Sequence, residues 1–466
     1  MLLESQVLKR ALFLLLLLPA VGLTLLSCGS TSGTSTTTTS GLTDRAFLSE
    51  DVSAATISAA VYIVNAQTDV RPAVSPIGAG NAPGMMVLTP NRTITLVFSA
   101  QENQLTLIDN ARETNANHIT LPGFTESFVV SPDSSTAYAA VPTASVVGQS
   151  PGAVKVIALS TAVFTGEVDI PSVRYLSIDN GGNRILAFSD SPDSTDPPCS
   201  ALVPCFLSVI TPSNIGTQAN AVVRVPGFDH PVTAFFSPDD STAYVVNCGP
   251  ECGGKEASVQ TLDLTANTPG AAIPVPAASV AIVNGSTMYL AGTPFALVNG
   301  IPTPSLLCST GPTPTQAQYC GQLTVFDLTS MTVVDPATTI VITDGYHNRM
   351  ALGANGQLFV GARTCTEITA VNPGDEVRGC LSIYNTLTTA VGAVPAGGVL
   401  IPPANGDVTG IQPIAKRTAV YVIQKGSLSI YDARTDALEI NPNNPNNPGQ
   451  IANLVGQFVD VKTPDF

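Results

Sequence analysis

VYIVN (61–65), LTLID (105–109), VKVIA (154–158), LSVIT (207–211), VQTLD (259–263), LTVFD (323–327), LSIYN (381–385) and LSIYD (428–432) are eight copies of one short pattern. Their starts lie 44, 49, 53, 52, 64, 58 and 47 residues apart. Apolar and polar positions alternate within each copy, and most copies end in Asp, Asn or Thr, as expected of a half-buried strand running into a turn. Two further strands precede each copy. Ser127–Val130 and Thr136–Ala139 flank a Pro-Asp turn, and Ala234–Phe236 and Thr242–Val245 repeat the arrangement. Elsewhere the turn is Pro90-Asn91, Asn180-Gly181, Asn284-Gly285 or Asn355-Gly356. A fourth strand follows, as in HITLPG (118–123), VVRVPG (222–227) and TIVITDG (339–345). A four-strand unit recurring at this period predicts an all-β fold, a β-propeller of four-stranded antiparallel blades. We name the strands a to d from the channel outward.

The chain ends supply a closure. Arg45–Leu48 reads as a strand b and Phe458–Lys462 as a surplus strand a. Joined, they complete an eighth blade and remove two free sheet edges; packed loosely, they would leave a ring of seven.

Composition agrees with many short strands. Gly (38) and Pro (37) are abundant and only 11% of residues are charged. The formal net charge of −15 and the lack of a basic stripe argue against nucleic acid as a partner.

The N-terminus reads as an export signal. Lys9 and Arg10 precede the apolar run ALFLLLLLPAVGLTLL (11–26), which is short for a membrane span. Leu25-Leu26-Ser27-Cys28 resembles the bacterial lipobox, which implies a signal peptide over 1–27 and lipidation of Cys28. Residues 28–43 then form a Ser/Thr-rich tether, and 44–466 a single propeller domain. Removing 1–27 takes away Glu4, Lys9 and Arg10 and leaves the mature chain about one charge more negative. Gly29 is not the Asp that retains many lipoproteins at the inner membrane, so the expected address is the outer membrane.

The motifs SPDSSTAY (131–138) and SPDDSTAY (237–244), with the strands LSVIT and LSIYD, resemble the YVTN-repeat, lactonase-like propellers over residues 45–466. That resemblance implies a propeller and raises lactone or ester hydrolysis, with His, Arg and Glu near the channel. The chain has no Trp, unlike WD40 and quinoprotein-type repeats. Repeat architecture itself leaves the chemistry open.

Cys199, Cys205, Cys248, Cys252, Cys308, Cys320, Cys365 and Cys380 fall in consecutive pairs between strands b and c of four successive blades. In an exported chain this spacing favours neighbour-to-neighbour disulfides over a metal site, and no His lies near Cys248 and Cys252. Antiparallel order puts the b-to-c and d-to-a connections on one face, here called the top, where long loops on a rigid scaffold commonly bind.

Candidate site residues occupy the d-to-a corners of that face. They are Glu126, Arg174, Asp229, His230, Tyr346, His347 and Arg349. A neutral imidazole or a carboxylate could activate water there, and a guanidinium could stabilise an oxyanion. The alternative is that these groups cap strands and tie neighbouring blades. Asp133, Asp239 and Asp240 suit Pro-Asp turns better than calcium, and His118 has no assigned role. No serine-hydrolase, phosphate-loop or metalloprotease motif occurs, and neither a metal nor a cofactor is expected. The sequence therefore favours a membrane-anchored, non-catalytic propeller displaying stapled loops to a protein, glycan or envelope partner. A lactonase-like hydrolase is the alternative, and an outer-membrane assembly scaffold a third reading.

Overall fold

The computed structural model describes residues 39–465 other than 52–58, 190–204, 217–219, 309–318, 369–376, 403–405, 441–444, 452, 453 and 455. The signal region, Cys28 and Cys199 lie outside the described residues. The chain forms an eight-bladed β-propeller of antiparallel sheets. The strands a are Pro83–Leu88, Ser127–Val130, Val173–Ile178, Pro231–Phe236, Val280–Asn284, Tyr346–Leu352, Val408–Pro413 and Phe458–Lys462. We number the blades one to eight in that order.

Each of the eight pattern copies forms strand c of a blade. Strands b and c are buried on both sides because each blade is sandwiched between two others. Leu96 and Leu105 of blade one, for example, pack in one cluster with Phe128, Ala137 and Ile157 of blade two. Burial of each leucine, isoleucine or phenylalanine among them contributes about 1.5–3 kcal/mol.

In the copies that end in Asp or Asn, the closing residue has a turn-forming task. Asp109 Oδ1 accepts the Ala111 and Arg112 amides at 3.0 Å each, and Asp263 Oδ1 those of Thr265 and Ala266 at 2.8 and 2.9 Å. Asn65 and Asn385 accept equivalent amides. The side chain thus supplies the first acceptor of the c-to-d turn. The Pro-Asp turns work similarly: Asp133 accepts from Ser131 Oγ at 2.5 Å and Ser135 N at 3.0 Å. Asp239 repeats both contacts with Ser237 and Ser241 at 2.6 and 3.2 Å. Hydrogen bonds led by those of the Ser131 and Ser237 hydroxyls hold both carboxyls below their ordinary range. Asp240 joins blade four to blade three by accepting from Asn180 N and Gly181 N at 3.0 and 2.8 Å.

Blade eight is built from both ends of the chain. Arg45–Glu50 lies between Ala60–Asn65 and Phe458–Lys462, and Ile77 bridges to Val61 as a vestige of strand d. Phe458 meets Tyr62 edge-on at 5.9 Å between ring centres. The buried Asp460 accepts from Met86 N of blade one at 2.9 Å, and Ser49 Oγ donates to Gly84 O at 2.6 Å. On the opposite flank, Arg417 of blade seven pairs with both Asp69 and Glu439 at 2.8 Å.

Blade five departs from the repeat. Its outer strand is split into Thr332–Val333 and Ile340–Ile342, both paired with Gly321–Asp327. Its b-to-c connection raises a hairpin, Phe295–Val298 with Ile301–Pro304, whose tip residues Asn299 and Gly300 have φ of 54° and 79°. Leu297, Val298 and Ile301 of this hairpin are exposed.

Three disulfides join neighbouring cysteines in the b-to-c connections of the top face: Cys248–Cys252, Cys308–Cys320 and Cys365–Cys380. Cys205 is also disulfide-bonded. Arg378 of blade six donates from Nη1 to the sulfurs of Cys308 and Cys320 at 3.0 and 2.8 Å, linking the loops of two blades. These bridges are compatible with an oxidising, extracytoplasmic setting.

Candidate functional site

A cavity of about 540 Å³ occupies the top end of the channel, lined by residues from seven of the innermost strands or the corners that precede them. Its wall depends on a repeated irregularity. Six of the strands a carry a register shift against strand b, at Pro83/Met86, Val173/Tyr175, Pro231/Thr233, His347/Arg349, Val408/Gly410 and Phe458/Asp460. A regular strand alternates its side chains between two faces, whereas a bulge inserts one residue and re-aims its neighbours. Consecutive residues therefore border the cavity: Gly84 and Met85, Arg174 and Tyr175, Val232 and Thr233, Asn348 and Arg349.

Four of the seven corner residues meet here: Glu126, Arg174, Tyr346 and Arg349. Glu126 Oε2 accepts from Arg174 Nε at 2.6 Å. The Arg174 guanidinium lies 5.2 Å from the centre of the Tyr175 ring, and the Tyr175 and Tyr346 hydroxyls are 3.5 Å apart. Burial, followed by the neighbouring Tyr346, raises the Tyr175 phenol far above its ordinary value, so its hydroxyl stays protonated and available as a donor. Arg349 donates only to main-chain carbonyls, Nε to Thr409 O at 2.8 Å and Nη1 to Asn348 O at 3.0 Å. Phe124, 44% exposed, stands at the mouth and meets Phe98 edge-on at 5.6 Å.

The other three candidates take structural places outside this lining. His347 is fully buried; its ring Nε2 lies 3.0 Å from Thr343 O, the geometry of a donated N–H, while Nδ1 has no partner. Burial pulls it down to about 4, so the imidazole is neutral. Gly321 makes room for it, since a Cβ there would come within 2.6 Å of His347 Cε1. Asp229 and His230 brace the Cys248–Cys252 loop. Asp229 Oδ2 accepts the Lys255 and Glu256 amides at 2.8 Å each, and its Oδ1 lies 3.2 Å from His230 Nδ1. Their main-chain carbonyls accept from Gly249 N at 3.2 Å and Cys248 N at 2.9 Å. In place of the expected gathering of two imidazoles, the channel mouth holds two carboxyls, three guanidiniums and two phenols. Arg363 is the third guanidinium, and it joins Tyr175, Asn348, Asp51, Phe98 and Phe124 as lining residues that the corner argument missed.

The same loop carries a further buried carboxyl. Glu251 crosses from blade four to blade five, where its Oε2 accepts from Thr293 N at 3.1 Å beside the Ser279 hydroxyl. Burial raises it to about 8.

An eight-bladed propeller with an open cavity at one end of its channel is the class that fold and site define. No protein-family profile and no curated protein matches the chain. Among solved structures it is similar to the hydrazine synthase of Kuenenia stuttgartiensis, at 12% identity and a TM-score of 0.52 over 76% of this chain and 96% of that one. It is also similar to a functionally unknown protein from Desulfotomaculum acetoxidans, at 15% identity and a TM-score of 0.47 over 78% and 99%. At these identities the likeness concerns the fold alone.

Proposed function

We propose that this protein is an exported, lipid-anchored propeller that binds a partner at its top face without transforming it. The carrying observation is the cavity wall: aromatic and guanidinium groups line it, while the imidazoles that would serve as bases are committed to loop and blade packing. Its one glutamate is engaged by Arg174 at 2.6 Å. Disulfide-closed loops on blades four, five and six stiffen one side of that face, which lowers the ordering cost of binding. The signal at 1–27, lipidation at Cys28, the tether to residue 43 and an outer-membrane address complete the reading. The resemblance to YVTN-repeat, lactonase-like propellers supports the architecture.

A photo-crosslinking amino acid in place of Phe124, in intact cells, tests this directly. We expect a discrete adduct from Phe124 and none from Asp133 on the opposite face. Equal labelling from both positions, or none from Phe124, refutes the assignment. The hydrolase reading retains one specific support, the convergence of Glu126, Tyr346 and Arg349 on one cavity. Lactone turnover by the purified protein, lost in Glu126→Gln, would establish it in place of pure binding.

A further inference from the structure

We propose that the channel cavity captures the C-terminal carboxylate of a partner polypeptide, clamped by Arg349 and Arg363, with the terminal apolar side chain against Phe98, Phe124 and Met85. This inference rests on the reading of the top face as a binding surface and names the chemistry that surface selects.

Charge is the first observation. In a chain of net charge −15, three guanidiniums and two carboxyls line this cavity. Arg174 is matched by Glu126. Among the described residues, neither Arg349 nor Arg363 has a carboxylate within ion-pair distance, and Arg349 is satisfied only by main-chain carbonyls. Burial holds the Arg349 guanidinium below its ordinary value; the Asp460 carboxylate opposes this, and the Arg363 charge, near enough to be felt, adds a smaller push in the same direction as burial. Like charges held together in a partly desolvated cavity favour an anion between them, and guanidinium forks suit a carboxylate in particular. Asp51, raised by burial, is the remaining carboxyl. With it ionised the lining carries one net positive charge, which a monoanion neutralises.

The second observation is polarity. Asn348 Oδ1 is buried without a hydrogen-bond partner. An orphaned acceptor beside the clamp calls for a ligand N–H or O–H. A chain terminus offers carboxylate, amide N–H and side chain within a few bonds of one another. The third is shape: the cavity falls within the size range of small-ligand pockets and opens among the top-face loops, where the rest of a chain can leave.

The test uses a fluorescein-labelled hexapeptide ending in a leucine carboxylate, the same peptide as its C-terminal amide, and the whole protein, read by fluorescence anisotropy. We expect the acid to bind at least tenfold more tightly than the amide, with the difference shrinking as salt rises. Arg363→Gln, at an exposed position, should abolish most of that preference. Arg349→Lys should reduce it with the fold intact by circular dichroism. Equal binding of acid and amide, binding of neither, or an acid preference that survives both substitutions overturns the proposal. So does benzoate or glucuronate binding with the same Arg dependence when the peptide acid does not bind, because the clamp would then serve small acids. An adduct from Phe124 in cells alongside any of these failures would leave the binding function standing and remove only the carboxylate terminus.

Discussion

Glu251→Gln should flatten the pH dependence of stability. The carboxyl reaches across a blade boundary into a place where, among the described residues, no cation pairs with it, and where Gly292 is needed because a Cβ would sit 2.7 Å from its Oε2. Burial raises it from 4.5 to about 8, against the weaker opposing effects of the Thr293 amide and the Ser279 hydroxyl. A carboxyl raised on folding gives stability that is fully present below its unfolded value and lost as pH climbs through the folded one. At about 1.4 kcal/mol per pH unit, the loss between pH 5 and pH 8 is on the order of 3 kcal/mol. Glutamine keeps the shape and cannot ionise. Urea unfolding followed by tyrosine fluorescence at pH 5, 6, 7 and 8 would read the difference between wild type and variant. The two should be similar at pH 5, and the wild type should fall progressively behind by pH 8. Parallel slopes for both proteins over this range would refute the assignment of a desolvated, uncompensated carboxyl.

Arg417→Ala should destabilise by about 3–5 kcal/mol, because it breaks a buried pair and leaves Asp69, with a side chain 5% exposed, without its guanidinium. Chemical denaturation should also show partial recovery when Asp69→Asn is added, since the amide carries no charge and can still meet the Tyr421 hydroxyl. Replacing Cys365 and Cys380 together by serine opens a loop of sequence separation 15 and should cost about 3 kcal/mol, with far-ultraviolet circular dichroism unchanged before unfolding.

Much of the fold was legible because the repeat couples two signals in one place. Strand c is marked by its apolar core positions and by the Asp or Asn that turns the chain beyond it, as Asp109 and Asp263 do. The joining of Arg45–Glu50 to Phe458–Lys462 followed from counting strands. The site was only partly legible, for a geometric reason. His347 and Arg349 are two residues apart and would share a face in a regular strand, but the shift between them sends one into the blade and the other into the cavity. A bulge is one extra residue without a sequence mark here. Nor could the pocket that holds His347 be read from its own neighbourhood, because it exists through Gly321, on strand c of the preceding blade.

The pairing of Phe458–Lys462 with Arg45–Glu50 also sets an order of events. The strand that fastens the ring comes after every other strand of the ring in chain order. Until Lys462 has emerged, blades one to seven form an open arc with unsatisfied edges at both ends, and the channel has no enclosing wall. The cavity wall is therefore complete only when this strand is paired, and the same strand sets Asp460 against blade one. A chain cut short by a dozen residues would retain most of its blades and every disulfide, yet have no closed ring around its channel.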